Sequence, residues 1–308
     1  MKAAAPPASL DGVLNVCKPV GMTSHDVVDA VRRLARTRRV GHAGTLDPGA
    51  SGVLVLALEH ATRIAEFLAN ADKEYRVEIT FGRSTDSGDA YGRTVHETPS
   101  VLLTAQQVTA VLPRFAGEIQ QIPPMASAVH VGGRRLYELS RQGAEVQVPP
   151  RTVHIYALEL REFIPASPPR AMLHVACSKG TYIRRLCSDV GDAVGCGAYA
   201  SFMVRMRVGR YEVASSATLE ELQALAEQDR LREAVLPMDD ALTEFPAVDL
   251  LPPQRQAAIH GQPIPLFRVA HWQRLVGAQV VRLRDAGRLI ALAKVEEGLL
   301  KPFKVLRD

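Results

Sequence analysis

In TSHDVVDAVRRLARTRR (residues 23–39) apolar side chains fall at Val27, Val28, Val31, Leu34 and Ala35, the spacing of one helix face. Thr23 or Ser24 stands where an N-cap belongs and Gly41 where the pattern stops, so a helix is predicted here. GVLVLAL, ending at Leu58, is an unbroken aliphatic run and predicts a strand buried on both faces. KEYRVEITFG alternates instead: Tyr75, Val77, Ile79 and Phe81 face one way, Arg76, Glu78 and Thr80 the other. That is a half-buried strand, with Tyr75 opening its inward face. TAQQVTAVLPRF and TLEELQALAEQ start with the capping boxes Thr104/Gln107 and Thr218/Glu221 and predict helices. AMLHVACSKG reads as a strand, and TYIRRLCSDVGDAV as a helix with Ile183, Leu186, Cys187, Val190 and Val194 on one face. Helices and strands mixed in this order predict an α+β fold rather than a regular βαβ repeat.

Two stretches break the pattern. Residues 120–151, QQIPPMASAVHVGGRRLYELSRQGAEVQVPPR, carry prolines at both ends, a Gly-Gly pair and several arginines, and predict a projecting arm. A second break falls at FPAVDLLPPQ, residues 245–254. Beyond it AQVVRLR, RLIALAKV and LLKPFKVL are strand candidates separated by DAG and EEG turns, a small β-rich module. Residues 1–11 read as a disordered lead-in, and no short-period repeat is visible.

Composition narrows the class only a little. A chain of 308 residues with 47% hydrophobic and 23% charged side chains is an ordinary globular protein of about two domains. Its longest apolar run, Val53 to Leu58, is far too short to span a bilayer, and the start has no secretory h-region. Cys17, Cys177, Cys187 and Cys196 form no C-x-x-C pair, which argues against a zinc site or a disulfide framework and suits a reducing cytosol. The net charge of +4 decides little, but its distribution is uneven. Arg32, Arg33, Arg36, Arg38 and Arg39 crowd one segment, and Arg134, Arg135, Arg141 and Arg151 mark another. Such clusters track a phosphate backbone or form a solvated face.

Candidate chemistry centres on Asp47, the one acidic residue in RRVGHAGTLDPGASGVLVLAL. Pro48 favours a turn, the flanking glycines admit close approach, and the following strand is a rigid mount for a reactive group. With a cation nearby the carboxylate stays ionised, as a nucleophile or an ion-pair partner requires. An Asx turn capping its own backbone fits the same residues. There is no phosphate-cradling G-x-x-x-x-G-K-[ST] loop, strand-linked G-x-G-x-x-G, H-E-x-x-H or G-x-S-x-G element. A cofactor-free, carboxylate-centred reaction remains.

GHAGTLDPGASGVL resembles the active-site loop of the TruB family of pseudouridine synthases. NVCKPVGMTSHDVV, KEYRVEITFGRSTDSGDAYG, QIPPMASAVHVGGRRLYELSRQG and CSKGTYIRRL resemble further motifs of that family, in its order. The resemblance runs from about Gly12 to the C-terminus. It implies a pseudouridine-synthase fold with a mixed, largely antiparallel sheet and flanking helices over 12–244. Residues 120–151 would then be an RNA-clasping thumb and 245–308 a PUA-like domain. It implies isomerisation of uridine 55 in the T arm of tRNA by a cytoplasmic monomer needing no cofactor, metal, membrane or protein partner.

By motif match Asp47 is the nucleophile, attacking the ribose anomeric carbon or C6 of the uracil. Arg184 is its ion-pair partner. Tyr75 lies against the flipped base and helps move a proton, and His42 fills the gap in the RNA stack. Tyr182 and Met203 touch the uracil, Lys18 supports the loop, and Arg134 and Arg135 grip the RNA. Each also has a plainer reading: Tyr75, Tyr182 and Met203 as core, His42 as a turn residue, Arg184 as solvated. Met203 stands where the family usually has leucine. MASAVHVGG lacks the family's aromatic after methionine and its lysine near His130, so the RNA grip is expected to differ in strength. The rival readings are a guide-RNA-dependent synthase subunit and a non-catalytic RNA-binding or tRNA-folding protein.

Overall fold

The computed structural model describes residues 10–98, 102–124, 130–131, 134–135 and 148–306, with no side chains given for 130–135. Ten strands form the main sheet. Its principal elements are β1 (Gly12–Lys18), α1 (Ser24–Leu34), β2 (Val40–His42), β3 (Ala50–Leu58) and β4 (Lys73–Phe81). They continue with β5 (Gly117–Gln121), β6 (Arg151–Ile164), β7 (Arg170–Cys177), α2 (Ile183–Ala193) and β8 (Ala198–Val208). From the Val235–Leu236 edge the order is β1-β3-β8-β4-β7-β6-β5, with β2 branching from β3. Among these strand pairs β3–β8 alone is parallel. The α+β class and the mixed, largely antiparallel sheet are as the pattern and the resemblance lead one to expect.

The aliphatic run of β3 is buried on both faces. Leu54, Leu56 and Leu58 enter one cluster with Val27, Val31, Ile79 and Leu186. Val53, Val55 and Ala57 enter another with Leu242, Leu289 and Leu306. Each such aliphatic side chain contributes about 1.5–3 kcal/mol by leaving water, so β3 anchors whatever loop precedes it. The alternation of β4 holds from Tyr75 to Ile79, with Val77, Ile79 and Phe81 fully buried and Tyr75 nearly so, but Thr80, expected on the outward face, is buried too. All three expected capping boxes or caps form, at Thr23, Thr104 and Thr218.

α1 is shorter than its apolar spacing predicts. It ends at Leu34, and Arg36 then takes a left-handed φ of 50°, which turns the chain into β2. β6 and β8 were not evident in the sequence pattern. Both carry two register shifts, between Ile155/Ala157 and Leu160/Glu162 in β6 and between Ala200/Phe202 and Arg205/Arg207 in β8. Each bulge flips the phase of the side chains and so erases the period-two signal.

The three C-terminal strands form as Val281–Asp285, Arg288–Glu296 and Leu299–Val305. Ala286-Gly287 and Glu297-Gly298 supply the positive φ angles of their two tight turns. Ala247–Asp249 and Ile264–Pro265 complete a five-stranded sheet with its own apolar cluster. It packs on the back of β3 through Leu289, Leu292 and Leu306, and Phe67 meets Phe245 edge-on at 5.7 Å.

The ends of segment 120–151 are anchored, Gln121 pairing with Arg151 across β5 and β6. Within it, His130–Val131 pairs with Arg134–Arg135 along the backbone. The side chains of Arg134 and Arg135, Arg141, and residues 1–9 of the lead-in lie outside the described residues. Among the described residues no helix is long and apolar enough to cross a membrane.

Candidate active site

The loop between β2 and β3 carries Asp47, and side chains from distant elements fix its backbone. Ser24, at the start of α1, is buried; its hydroxyl accepts from Leu46 N–H at 2.8 Å and donates to the Leu46 carbonyl at 3.0 Å. Lys18, at the end of β1, is fully buried and donates to the carbonyls of Pro19 (2.8 Å), Met22 (2.6 Å) and Pro48 (3.4 Å). Burial pulls its pKa down to about 8, with Asp47 opposing and Arg205 assisting the shift. Arg205 of β8, 1% exposed, donates to the carbonyls of Val53 (2.7 Å), Thr45 (3.3 Å) and Gly44 (3.1 Å). Buried carbonyls left without donors would be costly, so these cations and the hydroxyl make an otherwise irregular loop rigid.

On that mount Asp47 meets Arg184, the second residue of α2. Arg184 Nε lies 2.8 Å from Oδ2, and Nη2 donates to Oδ1 at 3.3 Å, a two-pronged contact. Nη1 donates to the Ser87 carbonyl at 2.9 Å and lies 3.4 Å from Asp89 Oδ2. Asp89 is itself held, its Oδ1 accepting from Ser87 Oγ at 2.6 Å and from Tyr91 N–H at 3.0 Å. The guanidinium is nearly buried and bridges two carboxylates, while the Asp47 side chain stays 38% exposed.

Despite this cation the Asp47 carboxyl sits above its ordinary pKa of 3.8. Burial is the largest cause and raises it; Arg184 lowers it, Asp89 raises it and Lys18 lowers it. Arg184 and Lys18 together offset only part of the combined effect of desolvation and the Asp89 charge. A partly desolvated carboxylate held in one orientation is a better nucleophile than one solvated by water.

A cavity opens above the pair, lined by Asp47, Asp89, Tyr91, Arg184, Phe202 and Met203 among others. The Tyr91 ring lies so close over Gly49 that a Cβ there would stand 2.2 Å from Cε2. Tyr91 and Phe202 are exposed and make an aromatic rim.

Of the residues singled out in the sequence, Asp47, Arg184 and Met203 share this cavity, and Lys18 lies under its loop. Met203 is 8% exposed and pairs with Ala50 in β3 and Val77 in β4. Tyr75 does not line the cavity. It is 7% exposed in β4, opposite Arg205, and burial pushes its phenol pKa up while Arg205 pulls it down. It is near enough to Asp47 to feel that charge. His42 closes β2 opposite Leu56, and Tyr182 is the N-cap of α2; neither lines the cavity.

Arg205 and Asp89 were not picked out from the sequence, and Ser24 was named only as a possible helix cap. For Arg205 a signal existed: it shares parity with Met203 in FMVRMRV, so an arginine occupies an inward phase.

Comparison with known proteins agrees with this geometry. Residues 32–183 match the model of the TruB family pseudouridylate synthase N-terminal domain, and 184–243 that of the tRNA pseudouridylate synthase B C-terminal domain. A tRNA pseudouridine synthase B of Pelotomaculum thermopropionicum is 46% identical, covering 96% of this chain and 97% of the relative. That of Dechloromonas aromatica is 47% identical over 97% of this chain and 96% of its own. A solved Cbf5-Nop10-Gar1 complex contains a chain with a TM-score of 0.73 and 27% identity, covering 97% of this chain and 86% of that one. A chain in an H/ACA RNP bound to a substrate RNA containing 2'-deoxyuridine gives 0.72 and 26%, with the same coverage. A carboxylate held by an arginine at a sheet-mounted cavity thus comes with near-full-length similarity to curated relatives, and the chain belongs to the TruB family of pseudouridylate synthases.

Proposed function

We propose that this enzyme converts uridine 55 in the T arm of tRNA to pseudouridine, acting alone, with Asp47 as nucleophile. The observation that carries the reading is the Arg184 fork on a partly exposed Asp47 at the floor of a cavity. A base stacked in RNA is out of reach of any buried carboxylate, so the target nucleotide has to be extruded into that cavity. Asp47 then bonds to the anomeric carbon or to C6 of the uracil, the bond from N1 to the sugar breaks, the base turns, and the bond to Asp47 breaks again with its electron pair returning to the carboxylate. C5 bonds to the anomeric carbon, the C5 proton leaves and N1 gains one, so the atoms of uridine are all retained. Arg184 holds the attacking oxygen, Met203 offers an apolar wall, and Tyr75 flanks the base and helps move the proton. His42 occupies the space vacated in the stack, Tyr182 borders the uracil, and Lys18 supports the loop. The thumb, 120–151, and its Arg134 and Arg135 grip the RNA backbone.

The guide-dependent alternative has support in the solved chains at 26% and 27% identity, taken from an H/ACA RNP and a Cbf5-Nop10-Gar1 complex. Identities of 46% and 47% to relatives named for tRNA favour the tRNA reading. Incubating the protein with an unmodified tRNA transcript and mapping pseudouridine tests it. We expect product at one T-arm uridine from the wild type. Asp47→Asn should bind the transcript and form none. Wild-type product from the variant would remove Asp47 from the chemistry; retained binding with no product from either protein would favour a folding aid.

A further inference from the structure

Gln121 ends β5 and is only 2% exposed, although its amide needs partners for both a donor and an acceptor. Both come from one distant residue. Gln121 Oε1 accepts from Tyr182 N–H at 2.9 Å, and Nε2 donates to the Tyr182 carbonyl at 3.3 Å. A side chain that takes both backbone groups of a residue grips that residue as a neighbouring strand would, and fixes its peptide planes. Tyr182 is the N-cap of α2 and has no side-chain capping bond of its own. The external amide therefore takes the N-cap N–H at this helix start, as the Asp26 carboxylate takes that of Thr23 at α1.

Two facts give this clamp a functional meaning. Arg184 follows two residues after Tyr182, so the start of α2 sets where its fork meets Asp47. The backbone of Gln121 pairs with Arg151, so the clamp stands where segment 122–150 leaves and rejoins the sheet. We infer that Gln121 is a positioning residue for the reaction: its amide locks the start of α2, and hence the Arg184 fork, to the root of that segment. The inference rests on the function proposed above. With the clamp gone, Arg184 is still held from its other side by the Ser87 carbonyl and Asp89, so its guanidinium drifts off Asp47 toward them. Asp47 then loses part of the charge that holds its carboxyl down.

Gln121→Met keeps the length and apolar stem and removes both hydrogen bonds without adding charge. We expect kcat for pseudouridine formation on a tRNA transcript to fall about ten-fold with KM changed less than about two-fold. The acid limb of the kcat profile should move to higher pH, a shift that mere loss of folded protein does not produce. Gln121→Asn, too short to reach both groups, should shift the limb the same way and is read if Gln121→Met proves unfolded by melting. A folded variant with wild-type kcat, or with its acid limb unmoved, overturns the inference, and so do two variants that both fail to fold. Absence of product from the wild-type protein sinks the proposed function itself; product with an unmoved limb sinks this inference alone.

Discussion

Asp47 shows how opposing effects settle at one residue. Desolvation and Asp89 push its carboxyl up, Arg184 and Lys18 pull it down, and the net direction is upward. Activity that needs the ionised form is present above this raised pKa and is lost as pH falls through it. Removing Arg184 takes away the largest lowering effect. Arg184→Gln should therefore move the acid limb further up and lower kcat by about 10²–10³, the loss typical when a preorganised charge contact at a reacting centre is removed. A pH–rate profile of the variant checks it, and a limb at or below the wild-type position would contradict the charge balance described above. At this scale the sequence was only partly legible. Asp47 stands out because the loop around it has no other acid, but Arg184 lies 137 residues away, and no local spacing joins them. Family motifs supplied that partner; Asp89, the guanidinium's second carboxylate, went unnoticed inside a turn.

At the scale of elements, the site depends on the parallel contact of β3 with β8. Gly52 has a φ of +99°, and a Cβ there would lie 2.3 Å from the Arg205 carbonyl oxygen, a backbone atom that cannot move aside. Gly52→Ala combines backbone strain with overpacking and should cost about 3–5 kcal/mol, the two effects taken together. Denaturant melts should show it, and the displaced Arg205 should release the carbonyls of Gly44 and Thr45. Unchanged stability would mean that the two strands separate easily and do not clamp the loop. Elements with unbroken periodicity, such as β3, β4 and α2, were readable because their signal is local. β6 and β8 were not, because bulges interrupt the alternation that identifies a strand. The end of α1 escaped for a similar reason: the turn at Arg36 is a backbone choice with no glycine to announce it.

For the whole molecule, burial of ionisable groups gives stability a definite pH dependence. Lys18 and Lys73 are pulled from 10.5 to about 8, so between about pH 8 and 9 the unfolded chain holds protons that the folded one has released. Stability therefore rises with pH in that window, by about 2 kcal/mol for a pair of such groups. Above about pH 9 the buried thiols of Cys177 and Cys187, pushed up from 9.0 to about 11 and about 12, act in the opposite sense, and the rise should level off. Denaturation under reducing conditions measures this, and a fall in stability between pH 8 and 9 would contradict it. Both lysines bond backbone carbonyls, Lys18 beside the Asp47 loop and Lys73 at Ala69 and Ala71, so each ties one segment of chain to the sheet.

The sequence by itself determined the capped helices, the doubly buried strand β3, the half-buried strand β4 and the C-terminal hairpins. Each follows from residues a few positions apart, through backbone preference and apolar periodicity. Tertiary structure alone decided that Arg205 would hold the loop, that Gln121 would grip Tyr182, and that Asp47 would sit between burial and a guanidinium. Those outcomes depend on sheet order, register and local dielectric, which arise only when segments far apart in the chain exclude water from one another.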